Sequence, residues 1–306
     1  MKKFCAMLLC ILTSYLCFGQ NDYHFSIAPR FSFTYGELTE ILYGYDNEIV
    51  SRLDWEQKPL LNLGLEADIF IKDFAINSVF EFSLPAGTSY MYDSDDFNAD
   101  EIFDKRSKHP ISKTTNLNTE LTLSYKVQSS SAITVFPLIN FQYIYTSFEA
   151  DKGIILFGQQ TTPSPGKKVY ANKIDYFRHS FFIFSGLGIK IAAAKTFSFN
   201  MNFLISPWGF QYASDLHHGS GNNPLYPFST YDYINSFLSK IKINLTGDFK
   251  LSQNASILLF ANFTIGFPDK GDCYTDYSSD EIYLSSQKCG ADLNFIKAGA
   301  SFKVYL

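Results

Sequence analysis

Two short segments of this 306-residue chain concentrate the side chains that could do chemistry: Asp93-Ser94-Asp95 and Asp215-Leu216-His217-His218. On an extended backbone, side chains at i and i+2 point the same way, so Asp93 and Asp95 would present two carboxylates side by side. Carboxylates that close repel, which raises the pKa of one and lets the pair share a proton or hold a water. Asp215 and His217 have the same spacing. A carboxylate beside an imidazole orients the ring and stabilises its cation, as a general base requires. Together the four residues could activate one water against a carbonyl.

The same residues admit plainer readings. Acidic clusters on loops are commonly solvated surface. The run from Asp93 to Asn98 could open a calcium loop, but Phe97 and Asn98 stand where such a loop needs an oxygen ligand and a glycine. His217-His218 could ligate a transition metal, yet no third His or Cys stands near them, so no metal is expected. A Ser–His–Asp triad is open on residue types alone, with no context marking a serine as nucleophile. Spacing by itself does not decide between catalysis and a solvated surface.

The elements that must position these residues can be read from alternation. Tyr23, Phe25, Ile27, Phe31, Phe33 and Tyr35 share one parity, with His24, Ser26, Arg30, Ser32 and Thr34 on the other. Leu61–Ile71, Leu117–Val127, Phe197–Ile205, Ile257–Phe267 and Ile296–Leu306 repeat the pattern, and four stretches near 74–84, 133–147, 178–191 and 235–249 follow it less cleanly. A period of two with one wholly apolar face marks a strand. Ten such strands are joined alternately by short turns (near Lys72-Asp73, Gln128–Ser131, Ala194-Lys195 and Ser252–Asn254) and by five long connections, at roughly 36–60, 85–115, 148–175, 208–233 and 268–289.

A large secreted β-sandwich also alternates. Against it, the chain opens with Lys2-Lys3, an apolar run from Phe4 to Phe18 and then Gly19-Gln20, the pattern of an export signal over residues 1–19. No later run approaches the ~18 apolar residues of a transmembrane helix. An even strand number, short inner turns and long outer loops describe a ten-stranded antiparallel transmembrane β-barrel over 20–306, all-β, with five long extracellular loops. Closure follows from backbone chemistry, because an open sheet edge cannot be satisfied in lipid. The 31 Phe and 20 Tyr suit interfacial girdles, and the net charge of −5 gives no reason to expect nucleic acid. Cys5, Cys10 and Cys17 fall in the signal; bulky Tyr15-Leu16 argues against lipidation at Cys17. Cys273 and Cys289 remain, and in an oxidising compartment they are expected to form a disulfide tethering the last loop.

Beyond these patterns, the chain resembles the omptin family of outer-membrane endopeptidases over essentially its whole mature length. Ser51-Arg52-Leu53-Asp54-Trp55 is similar to the family's S-x-L-D-W, Asp93-Ser94-Asp95 to its D-x-D, and Lys108-His109-Pro110 to its R-H-P. Ser206-Pro207-Trp208 followed by Asp215-Leu216-His217 is similar to its S-x-W…D-x-H segment. The resemblance implies an aspartic-type endopeptidase of the outer membrane whose active site faces the extracellular side and meets polypeptides at the cell surface. In it His217 would be the base, Asp215 would orient it, and Asp93 and Asp95 would position the attacking water, with no covalent intermediate. His218 competes for the role of base through a one-residue slip.

Departures from the family carry expectations of their own. Omptins favour cleavage beside basic residues through a Glu in the first loop, matched by Glu40, and an Asp two positions before the dyad, where this chain has Ala213. Half of the acidic pocket is therefore missing, and preference for Arg or Lys is expected to weaken or change. The Trp that commonly follows D-x-D is Asp96. Omptins use basic residues on the upper wall to hold lipopolysaccharide; the corresponding stretch reads Tyr143-Ile144-Tyr145, which puts that dependence in doubt. The alternative function is a non-catalytic adhesin or binding barrel on the same scaffold.

Overall fold

The structure, a computed structural model, describes residues 23–44, 46–85, 89–96, 104–130, 132–157, 170–219, 227–277, 282–283 and 288–306. The export signal expected over residues 1–19 lies outside them. All the strand segments belong to one sheet. The longer ones resolve into ten consecutive spans: Tyr23–Tyr43, Ile49–Ile71, Phe74–Ser83 continued by Tyr90–Asp95, Lys105–Tyr125, Ile133–Ala150, Ile174–Ala194, Phe197–His217, Phe228–Ser236 continued by Lys240–Lys250, Ala255–Gly266 continued by Asp269–Tyr277, and Lys288–Tyr305. The first span pairs antiparallel with the last (Arg30↔Ser301) as well as with the second (Arg30↔Gly64), so the ring closes.

Alternation decides which way each side chain faces. Phe31, Phe33, Leu63, Leu65, Met201 and Phe203 are exposed around the outside, in the half of the barrel that carries the short turns. Water would penalise such a belt, whereas lipid accepts it. The opposite parity points into the lumen and is polar. Arg30 bonds Glu66 and Glu81, Lys297 Nζ lies 2.6 Å from Glu81 Oε2, Lys242 Nζ 2.6 Å from Glu120 Oε2, and Lys303 Nζ 2.6 Å from Asp68 Oδ2. These paired charges line the membrane half of the interior.

Strand length is where the structure departs most from the sequence reading. A membrane span needs about 9–11 residues, yet the spans Tyr23–Tyr43, Ile49–Ile71 and Phe197–His217 run to 21, 23 and 21 residues. Much of the sequence in the five long connections is therefore barrel wall that continues beyond the lipid belt. In that upper half Trp55 lies fully buried against both Phe148 and Tyr176, with ring centroids at 5.1 and 5.0 Å. Leu38, Leu53, Met91 and Ile111 complete an apolar layer above the ionic one.

Candidate active site

Asp93 and Asp95 sit on the strand Tyr90–Asp95, held on one side by Ser51–Trp55 (Leu53↔Asp93, Ser51↔Asp95) and on the other by Lys105–Pro110 (Asp93↔Ser107, Asp95↔Lys105). Their i, i+2 spacing puts both carboxylates on the inward face, as the extended backbone requires. They are not bare. Lys105 Nζ is 2.7 Å from Asp95 Oδ2 and 3.9 Å from Asp93 Oδ2, and Ser51 Oγ donates to Asp95 Oδ1 at 3.0 Å. Ser107 Oγ lies 3.4 Å from Asp93 Oδ2. Burial first, and then the neighbouring Asp95, push the Asp93 carboxyl up to about 6, with Lys105 opposing.

Asp215 and His217 sit on the wall formed by Phe197–His217, between Ile174–Tyr176 and Phe228–Thr230. His217 Nε2 is 2.5 Å from Asp215 Oδ2, and its ring stacks on Phe228 with centroids 4.3 Å apart. A carboxylate only accepts, so Nε2 carries the hydrogen and Nδ1 of the neutral ring keeps the lone pair. Burial disfavours the imidazolium, but Asp215, then Asp93 and Asp95, outweigh it and raise the His217 pKa above its ordinary value. The two halves of the expected quartet lie on different walls, close enough for their charges to act on one another; among the described residues no hydrogen bond joins them.

His218 belongs to the other parity. Its Nε2 bonds Asp175 Oδ2 at 2.8 Å, and its side chain is 40% exposed against 15% for His217. Of the two histidines, His217 is the one on the face shared with Asp215.

Glu40, on the first span between Leu53 and Ala291, is 7% exposed, and its Oε2 has no partner. Burial, then Asp215 and Asp232, hold its carboxyl well above the usual carboxylate range, with Arg178 opposing. Ala213 is flanked in register by Arg178 on one neighbouring strand and Asp232 on the other. Asp232 is pushed up to about 7, by burial first and then by Asp215. The Arg178 guanidinium, also buried, is spent on the Tyr176 hydroxyl (2.6 Å) and the carbonyls of Asp292 and Thr39 (both 2.8 Å). Sequence patterns do not single out Asp232 or Arg178, because each is an isolated charged residue on the inward parity of a strand, marked only once the strands are in register.

The expected Cys273–Cys289 disulfide is not formed: both are buried thiols. Register explains it, because Cys289 stands opposite Gly271 and therefore diagonal to Cys273. Diagonal neighbours are about 7–8 Å apart, beyond the usual reach of a disulfide. The two thiols instead pack with Ile234 and Ala291, and Asp232 lies within hydrogen-bonding reach of both.

Residues 22–304 match the model of the Omptin family. Among solved structures, the outer membrane protease OmpT from Escherichia coli matches at a TM-score of 0.79 and 14% identity, covering 94% of this chain and 99% of that chain. The translocator domain of the autotransporter NalP from Neisseria meningitidis matches at 0.35 and 6% identity (97% and 95% covered), and the outer membrane protein OprG from Pseudomonas aeruginosa at 0.36 and 10% (94% and 98% covered). No curated protein sequence matches the chain.

Proposed function

The chain belongs to the omptin family, and from that membership we propose that this outer-membrane protease hydrolyses polypeptides at the cell surface with an Asp–His dyad and an Asp–Asp pair. His217 Nδ1 takes a proton from a water held by Asp93 and Asp95, and the hydroxide formed attacks the peptide carbonyl carbon. The imidazolium, stabilised by Asp215, then returns its proton to the leaving amine as the C–N bond breaks. No covalent enzyme intermediate and no cofactor enters, which makes the enzyme an aspartic-type endopeptidase. The site opens to the extracellular side, and residues 1–19 are removed on export. The observation that carries this reading is the 2.5 Å contact of His217 Nε2 with Asp215 Oδ2 on one wall, with Asp93 and Asp95 side by side on the inward face of another.

Glu40 contributes to the pocket for the substrate side chain. Asp232, adjacent in register to Ala213, supports the pocket's acidity from the neighbouring strand. The dependence on lipopolysaccharide is in doubt: on the outer wall Tyr143 bonds His179 at 2.8 Å, and Tyr143-Ile144-Tyr145 offers aromatic rather than basic side chains there.

Refolded protein assayed against a diverse peptide library, with and without lipopolysaccharide, tests the reading. His217→Ala and Asp93→Ala should each lower kcat by about 10²–10⁴-fold, while His218→Ala stays within about threefold, as expected for a group outside the proton path. Cleavage by wild type no greater than by His217→Ala under all conditions would overturn the reading and leave a non-catalytic binding barrel.

A further inference from the structure

Behind Asp93 runs a line of buried contacts that the four residues above leave unused. Ser107 Oγ is 3.4 Å from Asp93 Oδ2 and 2.8 Å from His109 Nε2, and His109 Nδ1 is 3.0 Å from the carbonyl oxygen of Asp151. Ser107 and His109 are both 0% exposed. The imidazole is locked in place: a Cβ added at Gly153 would come within 2.6 Å of its ring carbons.

Counting hydrogens fixes what this line contains. A carbonyl only accepts, so His109 Nδ1 carries a hydrogen. If the ring is neutral, Nε2 accepts, and Ser107 must spend its single hydroxyl hydrogen on it. Ser107 Oγ can then only accept from Asp93, which must be a carboxylic acid. If Asp93 is ionised instead, Ser107 donates to it and His109 must be the cation. Three contacts need three hydrogens; the serine and a neutral histidine supply two. With all three contacts hydrogen-bonded, the line holds one more proton than an ionised Asp93 and a neutral His109 contain.

We propose that Ser107 and His109 are positioning residues that keep this proton in reserve behind Asp93 and pass it to and fro during turnover. The proposal rests on the protease reading above. As the proton leaves Asp93 Oδ2 for Ser107 Oγ, the serine's own proton goes to His109 Nε2, and the reverse transfer restores the start. Asp93 can thus be a carboxylate while it holds the water and an acid when negative charge builds on the carbonyl oxygen, without drawing on solvent. The charged groups facing it are Asp95, Lys105 and His217. The adjacent strand turns Ser51 and Leu53 to this side, while Arg52 and Asp54, of the alternate parity, pair with each other. Burial holds His109 down to about 4, which favours the form with the proton on Asp93.

Two measurements test the relay. In ¹⁵N-histidine-labelled wild type, with His109→Asn for assignment, the His109 signals should show a protonated Nδ1 at neutral pH. A neutral ring protonated on Nε2 would overturn the proposal, whatever the activity. In pH profiles of kcat, Ser107→Ala should lower kcat about tenfold or more with KM within about twofold. Its alkaline limb should move to lower pH, because Asp93 loses the acceptor that stabilises its acid form; Ser107→Thr, which keeps the hydroxyl, should retain the wild-type profile. An alkaline limb that stays put or moves upward would mean that Ser107 merely donates to an ionised Asp93, and the relay would be wrong. Absence of cleavage by wild type would sink the protease reading instead, and the ¹⁵N measurement would still decide the relay.

Discussion

At the scale of single residues, charge is placed where burial magnifies it. Because Asp215, Asp93 and Asp95 raise the His217 pKa, the base is free only above a pH higher than that of an ordinary histidine. Activity should therefore fall on acidification with a midpoint above about 6.5, read from kcat/KM against pH; a flat profile between pH 5 and 8 would contradict His217 as base. Asp232→Asn should lower kcat/KM for peptides with Lys or Arg at the cleavage site by about tenfold, roughly 1.4 kcal/mol, relative to neutral residues, as measured with matched peptide pairs. The dyad and the carboxylate pair were legible in the sequence because their spacing is local. Asp232 was not, since its relation to Ala213 and Glu40 exists only once the strands are in register.

At the scale of elements, alternation reports a strand reliably only where one face meets lipid. The short turns fell where the sequence placed them, at Lys72-Asp73 for instance, where Lys72 adopts a φ of 54°. The upper walls were read as loops because both faces there carry polar or aromatic residues, as in Lys105–Pro110 and Phe228–Ser236. The disulfide expectation failed for a related reason, since compartment and count say nothing of register. Trp55, from the S-x-L-D-W segment, turns out to be packing: it fills the layer beneath the carboxylates. Trp55→Ala should destabilise the barrel by about 3–5 kcal/mol, seen as a lower midpoint of denaturant unfolding in detergent, and a shift of well under 1 kcal/mol would show that the layer can collapse around the gap.

At the scale of the whole molecule, two interior layers cross the cylinder. Lys242–Glu120 and Lys297–Glu81 bridge residues that are distant in the chain, so the ionic layer ties spans across the lumen as well as occupying it. Protein reconstituted in planar bilayers should accordingly give no stable conductance steps; steady open-channel currents would show that the lumen is not filled. The wall also sets how far the chemistry stands off the lipid. Glu40 lies five residues above Tyr35, an exposed aromatic of the lipid belt, which at ~3.3 Å per residue and a tilt of ~45° amounts to a height of roughly 12 Å. That height acts as a fixed ruler. On the proposed function, a protein anchored in the same membrane would meet the site only where its chain rises to that height, so segments closest to the bilayer should be spared by geometry.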